Sequence, residues 1–389
     1  MTALLVWRHL VAHKIRSALT LGTIAIAVFL LCFLGSVIVA LTAGVEQADA
    51  RRAVVQSAVS LFVDLPLSYQ GKIEGVPGVE STCKLQYFGG IYKEPSNYFG
   101  QFGVDPDRLF DMYPEIELDP AARASFQAGR MRCIVGAALA ARFGWTVGTV
   151  VPLAGTIFPR LDGAAWPFEI AGIYTAKGTS GVDQNTMYFH FAALQEAIES
   201  GSVRGEVVVG VYAVKLKPGA SMTGVCGAID AMFANGPQRV QATTEAEFNR
   251  QFVSMLGNVP MLLNAIGGGV LFAIALAALN TMLMAGREHT RSVGIMKALG
   301  FTDRSVALLL LGESLALCGG GGLVGVAVVK GLESVVVGAM SSIAPTYAIS
   351  PLTMAVGVGA AVAIGLVAGL VPAWNAARLR PVAALRMEA

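Results

Sequence analysis

Four stretches of this sequence are long and apolar enough to cross the hydrocarbon core of a bilayer, which takes about 20 residues of helix. The first, residues 17–45, runs for 29 residues without a charge. The second lies within 260–286, the third is 305–329 and is interrupted only by Glu313, and the fourth is 351–374. Charge is concentrated between the first and the second. Residues 44–252 hold 17 Lys/Arg and 21 Asp/Glu, while all the rest of the chain holds 11 and 5. Only 14% of the 389 residues are charged, against about 25% in an average soluble protein. The pattern predicts a membrane α-helical protein with four transmembrane helices and a large extracytoplasmic α+β domain inserted between helices 1 and 2. A formal net charge of +2 gives no sign of nucleic-acid binding.

The first apolar stretch follows Arg8, Lys14 and Arg16, an arrangement shared with cleavable leader peptides. A leader's apolar region is about 7–15 residues, much shorter than this run, so a retained anchor is the reading adopted. Basic flanks set the orientation. Arg8, Lys14 and Arg16, then Arg287, Arg291, Lys297 and Arg304, then Arg378, Arg380 and Arg386 would share the inner side, whereas 330–350 carries only Lys330. Both termini then lie in the cytoplasm of a bacterial inner membrane, and the large domain lies outside. The expected segments are a cytoplasmic amphipathic helix over 1–16, spans over 17–43, 258–286, 305–329 and 351–374, and the external domain over 44–252. A cytoplasmic helix over 287–304, a short external loop over 330–350 and a tail over 375–389 complete the order. Residues 1–16 alternate Leu4, Leu5, Leu10, Val11 and Ile15 with Arg8, His9, His13 and Lys14, as a helix lying on lipid would.

Local signals refine this outline. Ser350 and Pro351 are a helix cap and first-turn residue for the fourth span, and Trp374 with Arg378 marks its inner end. Gly365 and Gly369, and the stripe Gly269, Ala273 and Ala277, allow close helix approach, within one chain or between two. The run 319–322 of four glycines is either a thin packing face or a loosened turn. In the external domain, 54–65, 206–216, 168–174 and 186–191 read as strands, and 136–143, 191–199 and 222–233 as helices. Tyr87, Phe88, Tyr92, Tyr98, Phe99 and Phe102 read as core and edge packing rather than a ligand surface. Cys83, Cys133 and Cys226 allow one disulfide, with Cys32 and Cys318 as packing residues in apolar runs.

Chemical motifs are sparse. The sequence has no GxxxxGK[ST] phosphate loop, no GxSxG and no HExxH. His190 and His289 have no metal-ligand neighbour at useful spacing, and no catalytic, cofactor or metal site is expected. Glu313 lies about 12 Å into its apolar stretch, where a carboxylate must pair, reach water or take up a proton. It is either a working group or a structural hydrogen-bonding one. The stretch 287–304, REHTRSVGIMKALGFTDR, predicts a short helix with Val293, Met296 and Leu299 at three-residue spacing, ended by Gly300 and followed by Thr302 as the next cap. An apolar face with a basic rim there makes a rigid handle for a partner protein.

At this point the residues resemble a family. Segment 278–302 is similar to the coupling region of ABC transporter permeases of the MacB/FtsX/LolC type. Segment 5–31 resembles that family's N-terminal helix and first span. Gly312, Glu313 and Ser314 resemble the glutamate region of its third span, and 372–386 its C-terminal motif. Segments 103–110 and 134–148 resemble its external domain. The resemblance implies a coupling helix made by Arg287, Glu288, Arg291, Gly294, Lys297 and Gly300, to which the spacing above adds Val293, Met296 and Leu299, with Glu313 as the intramembrane carboxylate. His289 and Ser292 stand where the family usually has an arginine and a glutamate. Also implied are two copies of an ABC ATPase subunit that bind the ATP, so that the permease needs no cofactor of its own. A second permease protomer, membrane lipids and a periplasmic adaptor or membrane fusion protein complete the expected partners. The expected function is ATP-driven export or extraction by mechanotransmission. The alternatives are a signalling subunit of the same shape that regulates an external enzyme, and a membrane-anchored enzyme or receptor.

Overall fold

The computed structural model describes residues 14–46, 48–177, 182–255, 257–288, 290–340 and 349–379. The expected surface helix over 1–16 falls almost wholly outside them, as do His289, most of 341–350 and the tail beyond Leu379. Two units are formed, one gathering the long helices and one holding Ala40–Gly257.

The helical unit contains four helices of membrane-spanning length and hydropathy: Lys14–Glu46, Val259–Glu288, Asp303–Gly331 and Pro351–Arg378. Their ends follow the local chemistry. Thr302 Oγ1 accepts from the Ser305 N–H at 3.3 Å and Ser350 Oγ from the Thr353 N–H at 3.1 Å, so each hydroxyl satisfies a donor that the helix leaves open. Residues 330–350, expected as a loop, hold the end of the third long helix and a further helix, Glu333–Met340.

Small residues line the closest contacts between the helices, and many large apolar ones face outward. A Cβ on Gly322 would stand 2.7 Å from Ala361 Cβ, one on Gly365 2.9 Å from Cys318 Cβ and one on Gly369 2.8 Å from Ser314 Cβ. The third and fourth helices therefore touch backbone to side-chain stub along their length. The first helix closes on the third at Gly321 and Gly325, and on the fourth at Gly357 against Cys32. In lipid, where apolar burial drives no association, such close approach is what lets van der Waals contact hold helices together. Ser314 Oγ adds a buried hydrogen bond to the Gly365 carbonyl at 2.7 Å. The glycine run 319–322 is thus continuous helix with Gly321 and Gly322 in the seam, and Gly365 and Gly369 serve packing within the chain. The stripe Gly269, Ala273 and Ala277 is exposed, like Phe272 and Leu276 beside it.

The inserted unit is α+β. Its strands are β1 (Arg52–Ser57), β2 (Leu65–Pro66), β3 (Val79–Tyr87), β4 (Gly90–Ile91), β5 (Gly100–Val104), β6 (Ile116–Glu117), β7 (Arg132–Gly136), β8 (Val150–Gly155), β9 (Trp166–Ala176), β10 (Thr186–His190), β11 (Val208–Val209), β12 (Val211–Leu216) and β13 (Val240–Thr244). The main sheet has the order β13-β1-β12-β3-β5-β10-β7-β9-β8-β4, with β6 on β9, and β2 pairs separately with β11. Within it β5 runs parallel to β10 and β7 parallel to β9. Helices Ala137–Phe143, Phe191–Glu199 and Met222–Met232 lie where the sequence places them, within a residue at each end.

Two expected strands are cut short. The stretch 54–65 leaves the sheet after Ser57, where Ser57 and Ser60 turn the chain by accepting from the Val59 and Phe62 N–H groups. The stretch 206–216 breaks at Gly210 into β11 and β12. Of the six aromatics, Phe88, Tyr92 and Phe99 are buried, with Phe88 edge-on to Trp166, Phe168 and Phe189. Tyr98 is exposed. All five cysteines are free and buried, so the disulfide allowed by the sequence does not form. Burial pushes the Cys83 thiol up to about 12, the mark of an inert packing cysteine.

Candidate functional site

The connection between the second and third long helices carries the residues singled out by sequence. Helix Thr290–Ala298 spans its middle. It ends in a Schellman motif, with the Gly300 N–H bonded to the Lys297 carbonyl at 3.1 Å and the Phe301 N–H to the Met296 carbonyl at 3.1 Å. Gly300 has φ of 94°, a conformation that a side chain resists. Thr302 then caps the third long helix, so the two helices meet through a tight turn rather than a loose loop.

The proposed coupling residues divide by environment. Val293, 1% exposed, packs with Val306, Leu310, Ala373 and Ala376, and Met296 lies against that cluster. Gly294 is buried beside it. These side chains join the short helix to the third and fourth long helices and face inward, not toward a partner. Lys297 is not on a basic rim. Its ammonium donates to the Ala377 and Leu379 carbonyls at 2.8 and 2.9 Å and pairs with Asp303 at 2.8 Å. A cation there satisfies the last carbonyls of the fourth helix and lies at the negative end of its dipole. Glu288 is paired with Arg16, joining the end of the second long helix to the start of the first. Leu299, at 75% exposed, faces away from the bundle together with Ile295 and Phe301. Arg287 and Arg304 are exposed as well. Arg291 lies on the helix, and Glu313 is buried in the third long helix at 4% exposed.

Two long-range ties, Lys297 to residues 377–379 and Glu288 to Arg16, leave no local signal, because their partners lie far along the chain. The assembly uses its ion pairs, Lys297 with Asp303 and Glu288 with Arg16, to hold helices together. It leaves an exposed apolar patch on a helix fixed to the third and fourth long helices.

Elsewhere, His190 Nε2 donates to the Phe126 carbonyl at 2.6 Å, with its ring edge-on to the Phe126 ring. Burial holds its pKa below the usual histidine value, outweighing that hydrogen bond. A cleft of about 200 Å³ opens between the 58–61 loop and helix Glu245–Met255, with Gln56, Gln241 and Gln251 in its lining. Among the described residues no His, Cys, Asp and Glu groups gather in a metal-binding arrangement.

Comparison with known proteins matches residues 17–232 to the MacB-like periplasmic core domain and residues 264–381 to the FtsX-like permease C-terminal domain. The pyoverdine export ATP-binding/permease protein PvdT of Pseudomonas putida KT2440 is 28% identical over 98% of this chain and 59% of its own length. The macrolide export ATP-binding/permease protein MacB of Hyphomonas neptunium is 29% identical over 62% of this chain and 39% of its own. The chain thus spans 59% or less of these two relatives. The crystal structure of the periplasmic region of MacB from Actinobacillus actinomycetemcomitans aligns with a TM-score of 0.38 at 10% identity, covering 54% of this chain and 95% of that one.

Proposed function

The chain belongs to the MacB/FtsX-type permease family, and we propose that it works as a lever in an ABC transporter, carrying movement from an ATPase to its external domain. The family is one of multi-pass membrane permeases with a periplasmic-type domain between the first two spans. The finer reading is that two ATPase subunits dock on the connection between the second and third spans on the cytoplasmic side. A second permease protomer completes the complex, and a periplasmic adaptor engages the external domain. ATP is bound by the partner, and cargo exported or extracted in this way need not cross the membrane through this chain.

The observation that carries this reading is the construction of helix Thr290–Ala298. Val293 and Lys297 fix it to the third and fourth long helices, while Ile295, Leu299 and Phe301 stay exposed. Displacing that patch has to move the helices to which it is fixed. In support, both relatives carry ATP-binding and permease functions in their names.

The test is tagged full-length chain purified from its native membranes, compared with Leu299→Asp. A nucleotide-hydrolysing protein is expected to co-elute with the native chain and to be lost from the variant, whose melting temperature stays unchanged because Leu299 is exposed. Co-elution that survives Leu299→Asp together with Phe301→Asp places the ATPase elsewhere.

A further inference from the structure

The external unit is joined to the first and second spans by two chain segments, and one buried side chain holds both. Arg52 lies six residues past the end of the first long helix at Glu46, and Glu245 begins the helix that ends at Met255, four residues before the second long helix. The Arg52 side chain is 6% exposed. Its Nε donates to Glu245 Oε2 at 2.8 Å, and the same oxygen accepts from the Asp49 N–H at 2.9 Å. Its Nη1 donates to both Glu115 oxygens at 2.8 and 2.9 Å and to the Met112 carbonyl at 3.2 Å. The guanidinium also lies 4.8 Å from the Tyr113 ring centroid.

Three separate stretches therefore meet on one planar cation: 49–52, 112–115 and Glu245. The third stretch matters most. The β1–β13 ladder already pairs the first segment with residues 240–244, but that ladder does not reach 112–115. Met112 and Ile116 belong to a different core, with Phe110, Phe126 and Tyr174. The helix that starts at Glu245 is by contrast lightly held. None of its residues is buried, and Gln251 accepts from the Gln56 amide at 2.9 Å beside the open cleft. Its N-terminal end is tied through Arg52.

Two carboxylates on one buried guanidinium are costly to desolvate, and an apolar cluster would stabilise at least as well. What the ion network adds is directional, multi-partner bonding that no apolar side chain provides. Burial works against the Arg52 charge, but Glu245 and Glu115 outweigh it and keep the group ionised.

We propose that Arg52 is a positioning residue that passes movement of the two segments next to the spans into the domain through Glu115. The proposal rests on the lever reading above. Its test uses the full-length chain in its native complex, with a fluorophore on one introduced cysteine at a time; the native cysteines are all buried. Phe252→Cys reports on helix Glu245–Met255, and Ala124→Cys, on an exposed position of helix Pro120–Ala128, reports on the core reached by Glu115. ATP is expected to shift both signals in the native chain. Arg52→Met is expected to keep ATP hydrolysis and the Phe252→Cys signal while losing that of Ala124→Cys, and Arg52→Lys is expected to restore part of it. Should Arg52→Met fail to fold, Glu115→Gln makes the cut at the partly exposed end of the network, with the same expected loss. An undiminished Ala124→Cys signal in a folded Arg52→Met or Glu115→Gln chain overturns the proposal. Neither label responding in the native complex overturns the lever reading instead.

Discussion

At the scale of single residues, the external unit keeps one histidine neutral by burying it. His190 is 4% exposed, and its Nε2–H is committed to the Phe126 carbonyl. Its pKa lies below the usual 6.5 because burial penalises the imidazolium. The unfolded chain therefore takes up a proton before the folded one does. The stability that His190 contributes is complete above about pH 6.5 and declines as the pH falls below it, by at most about 1.4 kcal/mol per pH unit. Thermal melting of the purified full-length chain at a series of pH values should show this decline. His190→Gln, which can still donate to the carbonyl but does not titrate, should flatten it. Equal pH slopes for the two chains would assign the decline to other groups. The residue thus has a structural reason to exist, in line with its lack of metal-ligand neighbours in the sequence.

At the scale of elements, the long helices were legible because a bilayer imposes a length and an apolar composition that nothing else in a chain of this size imitates. Their caps at Thr302 and Ser350, and the left-handed Gly300, were legible as local chemistry. The faces of the short helix were not. Steps of three residues turn a helix through 300° rather than a full circle, so Leu299 is rotated by about 120° from Val293. One packs inward and the other is exposed. Strand pairings such as β5 with β10 join residues 86 apart, Gly100 and Thr186, and no local pattern encodes that. The two uses of glycine in the spans also separate only in the structure, and mutation can show the difference. Gly365→Leu would drive a side chain into Cys318 and Ser314, a clash of the overpacking kind costing about 1–3 kcal/mol. Gly319→Ala meets nothing within 4 Å and should stabilise the third helix by up to about 1 kcal/mol through helix propensity. Unfolding midpoints in detergent should move in opposite directions; a fall for both would mean that Gly319 also sits in a packed seam.

At the scale of the whole molecule, parity decides what the chain can do. Helix Val259–Glu288 has 30 residues and is about 45 Å long, more than the roughly 30 Å of a hydrocarbon core. If it crosses, the 52–244 sheet segment and the short helix Thr290–Ala298 lie on opposite sides, and whatever pushes on one can reach the other only through the spans. The basic flanks favour Thr290–Ala298 as the inner of the two. Buried native cysteines make this simple to test, since an exposed introduced thiol reacts against a quiet background. Phe62→Cys, 82% exposed in the native residue, should react with a membrane-impermeant maleimide on intact cells, once any outer barrier to the reagent is opened. Leu299→Cys, on a site 75% exposed, should react only after the membrane itself is permeabilised. Labelling of both from the same side would leave the second helix uncrossed, and a lever with both ends in one compartment has nothing to transmit across the membrane. Reaction of Leu299→Cys alone on intact cells would keep the lever but invert it, putting the exposed patch beyond the reach of a cytoplasmic ATPase.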